Sequence, residues 1–282
     1  MPYRSAPVAC VHVAARTDVG RKRQRNEDTF SIGVIGSGDV LAPDPPDAQS
    51  HEVSARLRGH GFVFGVYDGY GGAAPDSLPS TVAARVVHAE LCLVPPPPAA
   101  ALAADLARAM QEAARRVWLL NEPDPEIFCG VATTAVVAAL VGRRLEVAHV
   151  GDSRAYLYRE RQLQRITRDH SLFNDMLDAG HLHPEDEAKF VHRGVITRSF
   201  GPSERVEPTS TTLELQAGDR LVLCTDGVTA HLDDPMLGTL LGRATAPDAC
   251  CRDVVAATYR AGAEDNLTVL VADVGGDMRR RG

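Results

Sequence analysis

The sequence predicts an α+β domain built on antiparallel sheet, with acidic residues gathered at the ends of its strands. Two observations predict it. Short apolar runs rich in β-branched and aromatic residues follow one another across short turns, which favours antiparallel sheet over a parallel, doubly wound one. Helical periodicity is confined to residues 78–91, 99–120, 172–179, 233–241 and 247–261, with strands between. The 282 residues, 44% hydrophobic and 24% charged, are ordinary globular composition and are enough to bury a large core. No internal repeat or clear boundary divides them, so residues 1–282 read as one domain.

Residues 8–15 alternate well enough for a first strand. A basic run, Arg21-Lys22-Arg23-Gln24-Arg25, follows and abuts Asn26-Glu27-Asp28. Basic runs are usually solvated loops, but a fixed arginine beside an acidic centre suits a phosphate or carboxylate. Residues 29–35 alternate as a strand, and 36–59, rich in Pro, Gly, Asp and Ser, read as a long exposed loop. His51 and His60, in or beside it, read as surface residues. Residues 62–67 form a buried strand stopped by Asp68-Gly69-Tyr70-Gly71-Gly72.

Pro79 suits the first turn of a helix with Val82, Val86, Val87 and Leu91 on its inner face. The prolines at 95–98 end it. A second helix over 99–120 carries Leu102, Leu106, Met110 and Val117 on a core-facing stripe. Residues 130–141 alternate poorly, as expected of a central strand covered on both faces. Residues 145–150 lead into Gly151-Asp152-Ser153-Arg154, and 154–158 continue as a strand. Asp169-His170-Ser171 suits a cap for a short helix over 172–179, ending at Gly180. The polar segment 167–201 reads as a flap over a site. Its His181, His183 and His192 match no usual zinc spacing. Strands over 210–215 and 220–224 lead to Thr225-Asp226-Gly227, and helices over 233–241 and 247–261 precede Glu264-Asp265-Asn266 and a last strand over 267–274.

One pattern recurs. Asp68, Asp152 and Asp226 follow apolar strands, while Glu27, Asp28 and Asp265 precede them. Should those ends converge, the carboxylates would repel one another and be driven to protonate. Hard divalent cations such as Mg²⁺ or Mn²⁺ are the partners that all-oxygen donors select.

The totals narrow the classes. A net charge of −7 opposes general affinity for nucleic acid or anionic membrane. The arginines at 279–281 read as a solvated tail. Six cysteines without a Cys-x-x-Cys pair suggest packed, reduced thiols. With no signal region and no apolar stretch of bilayer length, the expectation is a soluble, cytoplasmic protein, most simply a monomer.

These motifs together resemble the metal-dependent Ser/Thr protein phosphatases of type 2C, the PPM family. The resemblance is carried in order by Thr17-Asp18-x-Gly20, Arg23-x-x-Asn26-Glu27-Asp28, Asp68-Gly69-Tyr70-Gly71-Gly72, Gly151-Asp152-Ser153-Arg154, Thr225-Asp226-Gly227 and Asp265-Asn266-x-Thr268. Each fragment alone is weak; the ordered set is specific. Thr167-x-Asp169-His170-Ser171, Pro184-Glu185 and the run from Ile196 to Gly201 are similar to the bacterial branch, whose members commonly oppose Ser/Thr kinases.

The resemblance implies a four-layer αββα sandwich with two Mn²⁺ or Mg²⁺ ions at one end. Asp68 would bridge the ions, and the Gly69 carbonyl would bind one of them. Asp226 and Asp265 would complete the first ion, Glu27 would serve the second, and Asp28 would act mainly through bound water. Asp152 would help hold a weaker third ion, and Arg23 would grip the substrate phosphate. Water activated by the metals would then hydrolyse phosphoserine or phosphothreonine on partner phosphoproteins. One departure stands out: Tyr70 occupies a position where eukaryotic members usually carry a histidine, thought to protonate the leaving alcohol. Phenols ionise near pH 10, a poor match for proton transfer near neutrality, which shifts that role to a metal-bound water. The alternative from another class is a catalytically silent regulator that binds phosphoproteins in the same pocket. A relative acting on an anti-sigma antagonist would differ only in substrate.

Overall fold

The computed structural model describes residues 9–41, 49–72, 78–95, 97–121, 130–192 and 194–275. Cys129 and the 279–281 tail lie outside them. Every strand pairing is antiparallel. One six-stranded sheet runs β11-β10-β13-β14-β1-β4 and the other β12-β9-β8-β5-β2-β3; a two-stranded ribbon pairs β6 with β7.

In chain order the strands are β1 (Ala9–Asp18), β2 (Thr29–Val34), β3 (Val40–Leu41), β4 (Ser50–Gly59), β5 (Gly61–Tyr67), β6 (Gly69–Tyr70), β7 (Ala132–Thr133), β8 (Ala135–Val141), β9 (Arg144–Val150), β10 (Arg154–Arg159), β11 (Gln162–Arg165), β12 (Thr209–Glu214), β13 (Arg220–Cys224) and β14 (Leu267–Val274). The helices are α1 (Pro79–Cys92), α2 (Leu102–Trp118), α3 (Leu172–Asp178), α4 (Asp226–Thr229), α5 (Asp234–Arg243) and α6 (Pro247–Ala261).

Side-chain alternation builds the layers. Along β8, Val136, Ala138 and Leu140 point into the core between the sheets, where they meet Phe30, Phe62, Leu223 and Leu270. Its intervening Ala135, Val137, Ala139 and Val141 face α1 and α2. Along β13 and β14, Leu221, Leu223, Leu270 and Ala272 face the inter-sheet core, while Val222, Cys224, Val269 and Val271 pack on α4, α5 and α6. The weak alternation of 130–141 is thus the mark of a strand buried on both sides. The result is the four-layer αββα sandwich.

Four expectations need correction. Residues 36–59 are not one loop: β4 pairs with β1 over its whole length, from Ala9↔Gly59 to Asp18↔Ser50. Its Ser50, Glu52, Ser54, Arg56 and Arg58 are exposed and alternate with partly buried residues, so polar content disguised a strand at the sheet edge. Residues 130–141 are interrupted at Thr134, which separates β7 from β8. The inner face of α1 is Ala83, Ala84, Val87, His88 and Leu91, with Val82 and Val86 only packed at its margin. The helix over 99–120 begins as a 3₁₀ turn at Ala99–Ala101, with the α-helix proper over Leu102–Trp118. The expected stripe of α2 holds, since Leu102, Leu106, Met110 and Val117 are all buried.

Candidate active site

Strand register places the acidic residues at one end of the sandwich. In one sheet, the end of β1 meets the start of β14 at Asp18↔Leu267, and the end of β13 meets β10 at Cys224↔Arg154 and β14 at Cys224↔Val269. Asp265, Asp226 and Asp152 sit just beyond those pairs. In the other sheet, β2 begins beside the end of β5 at Thr29↔Tyr67, which brings Asp28 and Glu27 near Asp68.

The backbone around Asp68 is pinned. Its amide donates to Thr134 Oγ1 at 3.2 Å, and its carbonyl accepts from the Thr134 amide at 2.9 Å and from Thr133 Oγ1 at 2.8 Å. Gly69 has no room for a side chain: an added Cβ would lie 2.5 Å from the Glu27 carbonyl oxygen. Gly227 is tighter still, with the Asn266 carbonyl oxygen 1.9 Å from where a Cβ would stand. The glycines of the Asp-Gly pairs therefore let neighbouring segments at the end of each sheet close on one another.

Asp28 is fully buried and held across the sheets. Its Oδ2 accepts from Thr225 Oγ1 at 2.8 Å and Thr268 Oγ1 at 2.9 Å. Thr268 in turn bonds Thr17 at 2.7 Å, whose hydroxyl accepts from Asn26 Nδ2 at 2.9 Å. Asn266 locks the segment further: its Oδ1 accepts from the Glu27 amide at 2.9 Å, and its Nδ2 donates to the Val19 and Arg25 carbonyls. These supporting residues belong to the motif strings, yet only their contacts in the fold assign them work. A buried threonine in a strand gives no sequence signal by itself.

The electrostatics are those of crowded acids. Burial, opposed by the two threonine hydroxyls and reinforced by Asp226 and Asp265, pushes Asp28 up to about 7. Burial and then Asp226 push Asp152 up to about 8. Burial followed by the charges of Asp28 and Asp226 also holds Asp68 well above the usual carboxylate range, and its carboxyl is in hydrogen-bond contact with Asp226. Asp226 is raised as well, chiefly by burial. Against this cluster stands Arg23, half-exposed, with Nη2 2.6 Å from Asp265 Oδ2. The Asp265 carboxylate first, helped by the charges of Asp68 and Glu27 and opposed by burial, raises its affinity for the proton.

Two observations test whether cations fit. Asp28 Oδ1 and Asp152 Oδ1 are buried acceptors with no hydrogen-bond partner among the described residues. An all-carboxylate set with such orphaned oxygens suits hard divalent ions. Yet among the described residues no three His, Cys, Asp or Glu side chains are already gathered as a ligand set. The fit is one of donor chemistry and proximity; Asp265, now turned to Arg23, would have to rotate inward.

Tyr70 is 64% exposed and paired in register with Ala132 on the β6–β7 ribbon. His181, His183 and His192 are exposed. The other basic residues of the 21–25 run have separate partners: Lys22 pairs with Glu264, Arg21 stacks over Tyr259, and Arg25 bonds the Gly72 carbonyl. The five described cysteines are free, and all but Cys10 are buried. No helix among the described residues is long and apolar enough to cross a membrane. A cleft of about 720 Å³ runs from Asp152 and Asp226 between the sandwich and the 167–201 segment, past Arg154, Asp169, Phe173 and Leu177.

Comparison with known proteins gives a consistent result. The family model of Protein phosphatase 2C matches residues 47–176, and that of Stage II sporulation protein E matches residues 176–275. The chain is 32% identical over 263 residues to the serine/threonine protein phosphatase PstP of Mycobacterium tuberculosis, covering 93% of this chain and 44% of PstP. It thus spans under half the length of that relative. It is 27% identical over 268 residues to the serine/threonine phosphatase stp of Listeria monocytogenes, covering 93% of this chain and 96% of stp. The crystal structure of the PstP catalytic domain in complex with two manganese ions superposes with a TM-score of 0.74 at 27% identity, covering 95% and 100% of the two chains.

Proposed function

From the premise that this chain belongs to the type 2C, or PPM, family of metal-dependent protein phosphatases, we propose that it hydrolyses phosphoserine and phosphothreonine in proteins. The observation that carries the reading is the convergence of Glu27, Asp28, Asp68, Asp152, Asp226 and Asp265 at one end of the sandwich, with Arg23 beside them.

In this reading Asp68, Asp226 and Asp265 would hold one Mn²⁺ or Mg²⁺, and the Gly69 carbonyl would bind one of the two ions. Asp68 and Glu27 would hold a second, Asp28 would position water around them, and Asp152 would serve a third, weaker ion. Bound divalent ions lower the pKa of water and offset charge on phosphoryl oxygens. The chain's own residues then orient the reactants. Arg23, freed from Asp265, presents its fork to the phosphate oxygens. Thr225 and Thr268 keep the Asp28 carboxylate fixed through Oδ2, which leaves its buried Oδ1 without a partner among the described residues and available to bound water. No side chain need act as a nucleophile, and the buried cysteine thiols, pushed up by burial at Cys92, Cys224, Cys250 and Cys251, are unsuited to the role. The substrates would be phosphoproteins of a Ser/Thr kinase pathway.

The test is turnover of p-nitrophenyl phosphate and a phosphothreonine peptide with Mn²⁺, then with EDTA. The reading expects activity that EDTA abolishes and fresh Mn²⁺ restores. Turnover indifferent to EDTA, or none with any divalent ion, would overturn it.

A further inference from the structure

We infer that His170 is a positioning residue: by accepting a hydrogen bond from the Gly151 amide, it fixes the turn that carries Asp152 and ties the first residues of the 167–201 segment to the acidic cluster. The inference rests on the reading of Asp152 as a cation ligand.

Gly151 stands at φ +101°, and an added Cβ would lie 2.6 Å from Thr134 Cγ2. The turn therefore needs glycine's freedom, and glycine alone does not hold a conformation. Contacts from outside supply that constraint. On one side of Asp152, the Gly151 amide donates to His170 Nδ1 at 3.2 Å, and the Gly151 carbonyl accepts from the His170 amide at 2.9 Å. On the other, Ser153 Oγ bonds Thr134 Oγ1 at 2.7 Å, the same hydroxyl that accepts from the Asp68 amide. Asp152 is thus clamped between His170 and a group already tied to Asp68.

The ring itself is fixed. An amide can only donate, so Nδ1 must be unprotonated; the proton sits on Nε2, 2.8 Å from Thr209 Oγ1. The ring stacks on His149 with centroids 4.5 Å apart and planes 10° from parallel. His149 Nε2 donates to the Arg168 carbonyl at 2.8 Å, which fixes its tautomer too. Neighbouring contacts extend the same junction: Asp169 accepts from Arg154 Nε and Nη2, Thr167 Oγ1 from the Ala155 amide, and Ser171 Oγ from the Asn174 amide. Residues 151–155 and 167–171 are therefore joined side by side, and movement of the segment beyond them is transmitted to Asp152.

Two substitutions separate this role from mere filling of space. Asparagine at 170 keeps an acceptor near the position of Nδ1, whereas glutamine carries its polar group out to the position of Nε2. His170→Asn should leave Gly151 amide exchange and the Mn²⁺ requirement close to those of the unaltered protein. His170→Gln should speed exchange of the Gly151 amide about tenfold and raise the Mn²⁺ needed for half-maximal turnover by about 10-fold or more, as loss of a group supporting a ligand does. Calorimetric Mn²⁺ titration should show the same weakening without turnover. Should His170→Gln fail to fold, Thr209→Val releases Nε2 and should still quicken Gly151 exchange. Equal behaviour of the Asn and Gln variants, or an unchanged Gly151 amide in Gln or Val, overturns the inference. An unaltered protein that neither binds Mn²⁺ nor turns over substrate would instead defeat the phosphatase reading, while amide exchange still decides the link between His170 and Gly151.

Discussion

The acidic end of the sandwich and the 167–201 segment across the cleft from it are held by different means. At the acidic end every carboxylate leaves or enters a buried strand, and its supports are hydroxyls and amides with almost no exposure: Thr17, Asn26, Thr225 and Thr268 are each 0–1% exposed. Between 172 and 199, Phe173 is the only buried side chain among the described residues, packed against Phe190 at 5.7 Å. Val191 at 87% exposure and Val195 at 43% leave apolar surface outside. The lesson is that the acidic groups share the global stability of the core, whereas the 167–201 segment depends on its junction at 167–171 and on local caps.

The largest effect should come from the acidic end itself. Asp68→Asn and Asp226→Asn should each lower kcat/KM by on the order of 10³-fold, since cation binding supplies several kcal/mol of transition-state stabilisation. Steady-state assay with saturating Mn²⁺ checks this; a loss below tenfold would detach these residues from the chemistry.

Acidification should move the two regions in opposite directions. Burial first, and then the neighbouring His149, lower His170 to about 4, below the ordinary value near 6.5. Its neutral form is stable in the fold above that ordinary value. As pH falls from about 6.5 towards 4 the unfolded chain takes up a proton that the folded chain refuses, and up to about 3 kcal/mol is lost. Asp152, raised to about 8, works the other way: the folded chain binds its proton first, so its destabilising charge fades as pH falls from about 8 towards 4. Urea midpoints in EDTA across that range should fall less steeply for His170→Asn and more steeply for Asp152→Asn. Parallel curves would show that neither junction is as buried as described.

Thr268→Val tests the supports. It removes a hydroxyl that donates to Asp28 and accepts from Thr17, so it should cost about 1–3 kcal/mol, a drop in Tm of roughly 2–4 °C per kcal/mol. A melt by circular dichroism measures it. The smallest effect belongs to the 167–201 segment. Ser171 Oγ caps α3, and Ser171→Ala should cost about 1 kcal/mol locally. Amide exchange over residues 172–178 should quicken while Tm stays within error. A fall in Tm matching that of Thr268→Val would erase the contrast between the two regions.

Much of this was legible from residue order, and the exceptions share physical causes. Central strands such as β5, β8 and β14 are apolar on both faces, so they announced themselves. The two outer strands of the sheet that holds β14 did not. In β4 three inward side chains, Val53, Ala55 and Leu57, alternate with polar ones, and in β11 Leu163 is the sole apolar residue. An edge strand needs little hydrophobicity because one neighbour and one face are enough to hold it. The face of α1 was misread because alanines, not valines, permit its close approach to the sheet. At the site, the acidic residues stood out by their recurrence at strand ends. The threonine and asparagine supports stayed hidden because such residues are common in strands and turns, and because Thr17 and Thr268 meet only across 251 positions of chain.

The chain of bonds from Asn26 through Thr17 and Thr268 to Asp28 has one more consequence. Asp28 enters from one sheet, but the hydroxyls that grip it belong to the other. The spacing between carboxylates is therefore calibrated by the angle at which the sheets lie on one another. A cavity cut deep in the sandwich, at Leu223 or Phe62, would detune the acidic cluster without touching it.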